Sequence, residues 1–251
     1  MAYGCAGKVA FISGGTSGIG LATAQLLLQD GAEVWLLGRD AAKGTAAAVT
    51  LSVYGTVHYV QGDVRDAASC RQAAQLVREQ RGSVDFLVNA AGIYQEQRLE
   101  NVTDADYAAV MDTNFKGLAF LTQFFLPLLS QQGASIVNIA SDAGINGNYG
   151  CPLYCASKGA VVAFTRALAL DLAPQVRVNC VCPGDVATPL LSRQLQQADG
   201  GYTLADVAQY YPLERVGTAQ EIAHVICAVL SPLNSFMTGS IIPVDGGLTA
   251  K

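Results

Sequence analysis

Tyr154 and Lys158 stand four residues apart at the head of the stretch LYCASKGAVVAFTRALAL, Leu153 to Leu170. Residues four apart share one face of a helix, so this spacing brings the Lys158 ammonium beside the Tyr154 side chain. A phenol ordinarily ionises near ~10, and a neighbouring positive charge favours the phenolate. A pair of this kind can give or take a proton near neutral pH. Taken alone, the two residues equally fit a core tyrosine beside a lysine whose stem lies along apolar surface.

A second feature is the loop SGGTSGIG, Ser13 to Gly20, which follows the apolar run KVAFIS and opens into a helical stretch. Glycines permit positive φ and close approach of the backbone, and a helix N-terminus offers free N–H groups with a favourable dipole. A pyrophosphate fits such a place. Gly14, Gly18 and Gly20 form GxxxGxG rather than GxGxxG. Turns also use glycine, but the order strand, loop, helix is the one a dinucleotide site requires.

The elements that must position these residues recur along the chain. Short apolar or β-branched runs stand at 8–13, 33–37, 57–60, 85–89, 135–140, 176–181 and 240–244, with stretches of helical length between them. One such stretch, from Ile19 through Ala22 and Leu26, ends at Gly31, a residue suited to close a helix. The alternation predicts an α/β fold: one Rossmann-type domain over 1–251, a doubly wound parallel sheet of about seven strands with helices on both faces. Pro243 has no N–H to donate, so the last strand is expected at an edge.

Composition narrows the function classes. The chain is 51% hydrophobic and 14% charged, which suits a densely packed globule. A net charge of −5 and a pI near 4.9 provide no broad positive field, so nucleic acid and membrane partners are not expected. The segment GLAFLTQFFLPLL at 117–129 contains Gln123 and Pro127 and is shorter than the roughly 20 residues of a membrane span. The start MAYGCAGKVAFISGG has no basic leader, and a cytoplasmic location is expected. The seven cysteines show no CxxC pairing and the two histidines are far apart, so reduced thiols and no metal are expected.

SGGTSGIG resembles the TGxxxGIG signature of the short-chain dehydrogenase/reductase family, and the likeness continues along the chain. GDV at 62–64 is similar to the family's acidic residue near the adenine, and NAAG at 89–92 to its NNAG, with Ala90 in place of the second Asn. MDTNFKG at 111–117 carries the family's helix asparagine as Asn114. Ser141 lies thirteen residues before Tyr154, YCASK fits YxxxK, PGDVAT at 183–188 fits PGxxxT, and TGSIIPVDGG at 238–247 resembles the closing strand and turn.

The resemblance implies hydride transfer between a nicotinamide cofactor and a carbonyl or secondary alcohol. Tyr154 would be the proton donor, Ser141 would bind the substrate oxygen, Lys158 would hold the nicotinamide ribose, and Asn114 would anchor a water leading to Lys158. The positive charge of oxidised nicotinamide would add to that of Lys158 in favouring the Tyr154 phenolate. Cofactor contacts are implied at Gly14, Thr16, Ser17, Gly18, Ile19, Gly20, Asp63, Val64, Asn89, Ala90, Gly92, Tyr154, Lys158, Pro183, Gly184, Val186 and Thr188. Asn89 and Asp63 also suit caps and turns at strand ends. At the tip of the second strand, EVWLLGRD, the family's acid position is Gly38, followed by Arg39. A guanidinium there can pair with a 2′-phosphate, which favours NADP(H); NAD(H) stays open because Asp40 is near enough to compete.

Substrate contacts implied by the family are Ser141, Ala143, Tyr149, Cys151, Tyr154 and Asp185, with Ile93, Tyr94 and Ile145 nearby and a lid over 189–211 hinged at Gly200–Gly201. A homotetramer through helices at about 104–130 and 153–172, bearing Phe124, Phe125 and Phe164, is likewise implied. Two other readings are a sugar-nucleotide epimerase or dehydratase, whose usual longer substrate domain is missing here, and a nicotinamide-binding sensor without turnover, which would be expected to lack the Ser, Tyr or Lys.

Overall fold

The computed structural model describes residues 3–129, 133–197 and 202–250. Its main sheet holds β1 (Val9–Ser13), β2 (Glu33–Gly38), β3 (Val57–Gln61), β4 (Phe86–Asn89), β5 (Ala134–Ile139), β6 (Val176–Pro183) and β9 (Ile241–Val244). These seven strands are all parallel, in the order β3-β2-β1-β4-β5-β6-β9. The order reverses between β1 and β4, the crevice where doubly wound sheets bind ligands. β7 (Val186–Ala187) and β8 (Gly217–Thr218) form a separate short parallel pair.

Strands covered on both faces read as unbroken apolar runs. In β1, Val9 and Phe11 join Trp35, Leu37, Leu87 and Ile136 on one face, while Ala10 and Ile12 join Val34, Leu36, Val88 and Val137 on the other. α1 (Gly18–Gln29), α2 (Ala41–Leu51) and α9 (Ala219–Leu230) seal the second of these faces through Leu27, Leu51 and Ile226. α3 (Ala67–Arg81), α5 (Gly117–Phe125) and α6 (Pro152–Leu172) seal the first through Val77, Leu121 and Ala169. β9 lies at the edge with Pro243 opposite Cys182, where its missing donor breaks no ladder. α6 is long and apolar enough to cross a bilayer by composition, yet it packs along β6 as a core helix.

The helix expected over 104–130 is not continuous. It runs as α4 (Asp104–Met111), a π turn at Asp112–Lys116 and α5, then tightens to a 3-10 turn at Leu126–Leu128 around Pro127. Pro127 cannot continue an α-helical ladder. Phe125 is also not on an outer face: it is fully buried, with its ring centroid 4.2 Å from that of Phe11. The remaining helices, α7 (Pro189–Gln197) and α8 (Leu204–Ala208), occupy the segment expected as a lid; Gly200–Gly201 lies outside the described residues.

Candidate active site

The crevice is walled first by the glycine loop. Gly14 has φ 67°, and a Cβ there would stand 2.8 Å from the Ala91 nitrogen, so the loop lies directly on the turn after β4. Gly18 also has positive φ, and a Cβ on Gly20 would meet the Gly14 oxygen at 2.5 Å. Ser17 is the extended N-cap of α1 and its side chain accepts no capping bond. The first-turn N–H groups beside Thr16, Ile19 and Gly20 are thus left for an anion, an arrangement that suits a pyrophosphate. Thr188 closes the loop from the far side, its methyl 3.4 Å from where a Gly18 Cβ would be. Pro183 ends β6 and Gly184 follows it, Val186 is buried in β7, and Thr188 against Gly18 brings the PGDVAT stretch to the glycine loop.

At the end of β2, a Cβ on Gly38 would stand 2.7 Å from the Thr16 methyl, so a carboxylate side chain does not fit unless Thr16 moves. Asp40 is held as the N-cap of α2, accepting from the Lys43 amide at 3.0 Å. Tyr59 donates its hydroxyl to the carbonyls of Gly38 and Asp40 at 3.0 Å each and fixes this turn. Arg39 is exposed. The Asp63 carboxylate is gripped by Arg65 through Nε and Nη2, at 3.0 and 2.7 Å. Burial pushes the Asp63 carboxyl upward, but those bonds, with Arg39 nearby, outweigh it and hold the group below its ordinary range. Arg65 is a residue that sequence reasoning missed; its only signal is its place two residues after an acid. Val64 is buried against the position of Gly117, at the start of α5.

Asn89 departs from the expected cofactor contact. Its side chain turns into the core, where Nδ2 donates to Thr122 Oγ1 at 3.0 Å and to Asn138 Oδ1 at 2.8 Å, and Oδ1 has no partner. The alternation of the strand puts position 89 on the same face as Leu87, the one covered by α5, which carries Thr122. Ala90 and Gly92 follow in the half-buried turn, and a Cβ on Gly92 would stand 3.4 Å from both Asn114 Oδ1 and Lys158 Nζ. The Gly92 backbone therefore lies beside the lysine head group.

Tyr154, Lys158, Ser141 and Asn114 converge at the carboxyl ends of β4 and β5. Lys158 Nζ donates to the Ile139 carbonyl at 2.9 Å and sits 5.8 Å from the Tyr154 ring centroid. The ammonium thus lies over the Tyr154 ring, beside that side chain as the helix-face spacing implies, with the Ile139 carbonyl as its hydrogen-bond acceptor. Burial pushes Lys158 down to about 8, with Cys180 and Cys182 opposing. Burial raises Tyr154 as well; the Ser141 hydroxyl pulls it down, and Asp142, Cys151 and Asp185 add to the rise. The protein alone therefore keeps the phenol protonated, because the loss of solvent outweighs the Ser141 hydrogen bond.

Asn114 lies in the π turn. Its Oδ1 accepts from the Ile93 amide at 2.8 Å, and its Nδ2 donates to the Ile93 carbonyl and to Ser157 Oγ, each at 3.0 Å. The side chain thereby ties the loop after β4 to α6, and the widened turn is what turns it inward. Ser141 Oγ donates to Asp142 Oδ1 at 2.6 Å and accepts from the Ala143 amide at 3.2 Å. Asp142, buried and also bonded by Asn148 Nδ2 at 3.0 Å, is a second residue the sequence did not announce.

Of the expected substrate contacts, Ala143 and Cys151 pack around Tyr154 together with Tyr94, whose ring meets that of Tyr154 edge-on at 4.9 Å. Asp185 Oδ2 accepts from the Tyr211 hydroxyl at 2.8 Å, so the carboxylate is anchored rather than loose in solvent, and burial pushes it upward. Tyr149 is not brought in: its side chain is fully exposed, held out by the loop between Gly147 and Gly150.

Comparison with known proteins agrees with the fold. The family described as enoyl-(acyl carrier protein) reductase matches residues 14–249. The NADP-dependent (R)-specific alcohol dehydrogenase of Lentilactobacillus kefiri is 34% identical over 98% of each chain. The 2-(S)-hydroxypropyl-CoM dehydrogenase 3 of Xanthobacter autotrophicus is 38% identical over 97% of each. A solved glucose/ribitol-type short-chain dehydrogenase/reductase from Brucella melitensis superposes with a TM-score of 0.92 at 35% identity, covering 99% of both chains. Sheet order, glycine loop and whole-length likeness lead to one conclusion: the chain is an oxidoreductase of the short-chain dehydrogenase/reductase family, whose members use NAD(P).

Proposed function

We propose that this chain is an NADP(H)-dependent reductase and dehydrogenase that interconverts a small carbonyl compound and a secondary alcohol. The observation that carries the reading is the convergence of Tyr154, Ser141 and Lys158 beside the Gly92 backbone. A nicotinamide bound there supplies the hydride. Tyr154, kept protonated by burial, donates its proton to the carbonyl oxygen as charge develops on it. Ser141 supplies the second hydroxyl at that oxygen, and the Asp142 and Ala143 contacts orient it. Lys158 would hold the ribose hydroxyls, and Asn114, which ties the loop after β4 to α6, would anchor a water on the way to Lys158.

The glycine loop, the Gly184–Thr188 stretch and Gly92 would hold the cofactor. A purified sample with NADPH and a broad set of ketones, followed at the nicotinamide absorbance band, tests the reading. Turnover of at least one class is expected; tight NADPH binding with no turnover would favour the sensor instead. The presence of Ser141, Tyr154 and Lys158 together speaks against that sensor.

For the cofactor, the closed space at Gly38, the capped Asp40 and the exposed Arg39 support NADP(H) over NAD(H). The likeness to an NADP-dependent alcohol dehydrogenase points the same way. A hydrogen bond to a charged group is worth about 1.5–3 kcal/mol, so Arg39→Asp is expected to shift the kcat/KM ratio toward NAD(H) by about ten- to a hundredfold. An unchanged ratio would show that Arg39 does not read the 2′-phosphate. An apolar groove on α5 and α6, lined by Phe120, Leu126, Phe164 and Leu168, supports assembly with further copies as a homotetramer. α7 and α8 supply the proposed lid, with Tyr211 at its end tied to Asp185.

A further inference from the structure

Two cysteines flank Tyr154 in the first turn of α6. Cys151 Sγ and Cys155 Sγ are 3.8 Å apart. In a regular helix residues four apart hold their Cβ atoms about 5–6 Å apart, wider than the about 3.5–4.5 Å of a disulfide. Cys151 is not bound by that geometry, because it is the N-cap, with φ −139° and ψ 48°. Cys151 is buried and Cys155 is half-exposed. Cys180 and Cys182 are equally close at 3.8 Å, but both are fully buried in β6. Cys5, Cys70 and Cys227 are buried as well. The first pair is therefore the one a small oxidant in solvent can reach.

Both thiols converge on Asn148. Its amide donates to Cys155 Sγ at 3.4 Å, and Cys151 Sγ lies 3.7 Å from its carbonyl oxygen. The Asn148 side chain in turn holds Asp142, which accepts from the Ser141 hydroxyl. Any rearrangement of the two sulfurs thus acts on the loop that orients Ser141.

We propose that Cys151 and Cys155 are a peroxide-oxidisable thiol pair, whose disulfide releases the Asn148 loop beside the active site. Cys155 attacks hydrogen peroxide first: an S–O bond forms, the O–O bond breaks, and water leaves with the thiol proton, giving the sulfenic acid. The Cys151 sulfur then attacks that sulfur; the S–S bond forms, the S–O bond breaks, and a second water carries off the Cys151 proton. The sum is two thiols and one peroxide giving a disulfide and two waters, a two-electron oxidation of the pair. Burial pushes the Cys151 thiol up to about 12, with Cys155 beside it adding to the rise, which leaves the first attack to Cys155. Closing the pair draws sulfurs now 3.8 Å apart to about 2 Å, so both cannot keep their present contacts with Asn148.

The test uses the full chain with hydrogen peroxide and needs no substrate. Two of the seven thiols are expected to vanish, and the peptide carrying both cysteines should be lighter by two hydrogens and should refuse alkylation. Amide exchange across 146–150 should quicken at least tenfold, and dithiothreitol should reverse both changes. Cys155→Ser should keep the slow exchange after peroxide and form no disulfide. Seven alkylatable thiols after treatment, loss at Cys180 and Cys182 instead, or the same quickening in Cys155→Ser would overturn the proposal.

Discussion

Tyr154→Phe is expected to lower kcat for carbonyl reduction by about 10³-fold while leaving NADPH affinity and folding nearly unchanged, the size typical of losing a positioned proton donor. The change deletes one hydroxyl and keeps the ring, which packs edge-on against Tyr94 and against Cys151. No cavity opens, so a fall in activity reports chemistry rather than structure. Burial holds the phenol in its protonated form, the form that can donate in the reductive direction. Single-turnover absorbance with a ketone found in the screen, paired with a fluorescence titration of NADPH, separates the two effects. Activity within about tenfold of the unmodified protein would remove Tyr154 from the proton-transfer role, since a positioned acid is worth about 10²–10⁴-fold.

Arg177→Met is expected to lower stability by about 3 kcal/mol, the upper range for leaving buried polar groups without partners. Arg177 sits in β6, buried at 8% exposure, and its guanidinium donates to four carbonyls. Nη1 reaches Val229 and Met237 at 3.0 Å each, and Nη2 reaches Leu230 at 2.9 Å and Ser231 at 3.3 Å. Three of these carbonyls form the C-terminal end of α9, where a cation also meets the negative pole of the helix. The methionine would fill similar space and satisfy none of them. In thermal unfolding the midpoint should fall by about 6–12 °C for a chain of this size. Urea titration checks the sign at constant slope. A loss under about 1 kcal/mol would mean that other donors take over these carbonyls.

Much of the site was legible because it rests on local rules. Gly14 has a positive φ, which the glycine spacing after a strand already announces; that a Cβ has no room against the turn after β4 is a contact only the fold makes. The strands were legible because burial on both faces leaves their runs apolar, and Pro243 marked its own edge. The single helix read over 104–130 failed at Asn114, where a π turn is stabilised by bonds to Ile93 and Ser157, which lie 21 and 43 residues away. No local pattern contains such partners. The same limit hid Asp142 behind Ser141, sent Asn89 into the core toward Thr122 and Asn138, and turned Tyr149 out to solvent.

The sequence by itself determined the order of elements, the glycine loop after β1 and the types of side chain at the candidate site. Periodicity, backbone freedom and functional groups are properties of residues and their near neighbours. Only the tertiary structure decided how those groups behave. It anchored Lys158 on the Ile139 carbonyl, raised Tyr154 by burial, and set Cys151 and Cys155 together on Asn148. Desolvation and contact distance arise from parts of the chain that meet only once it is folded, and they control protonation and reactivity more strongly than spacing along the chain.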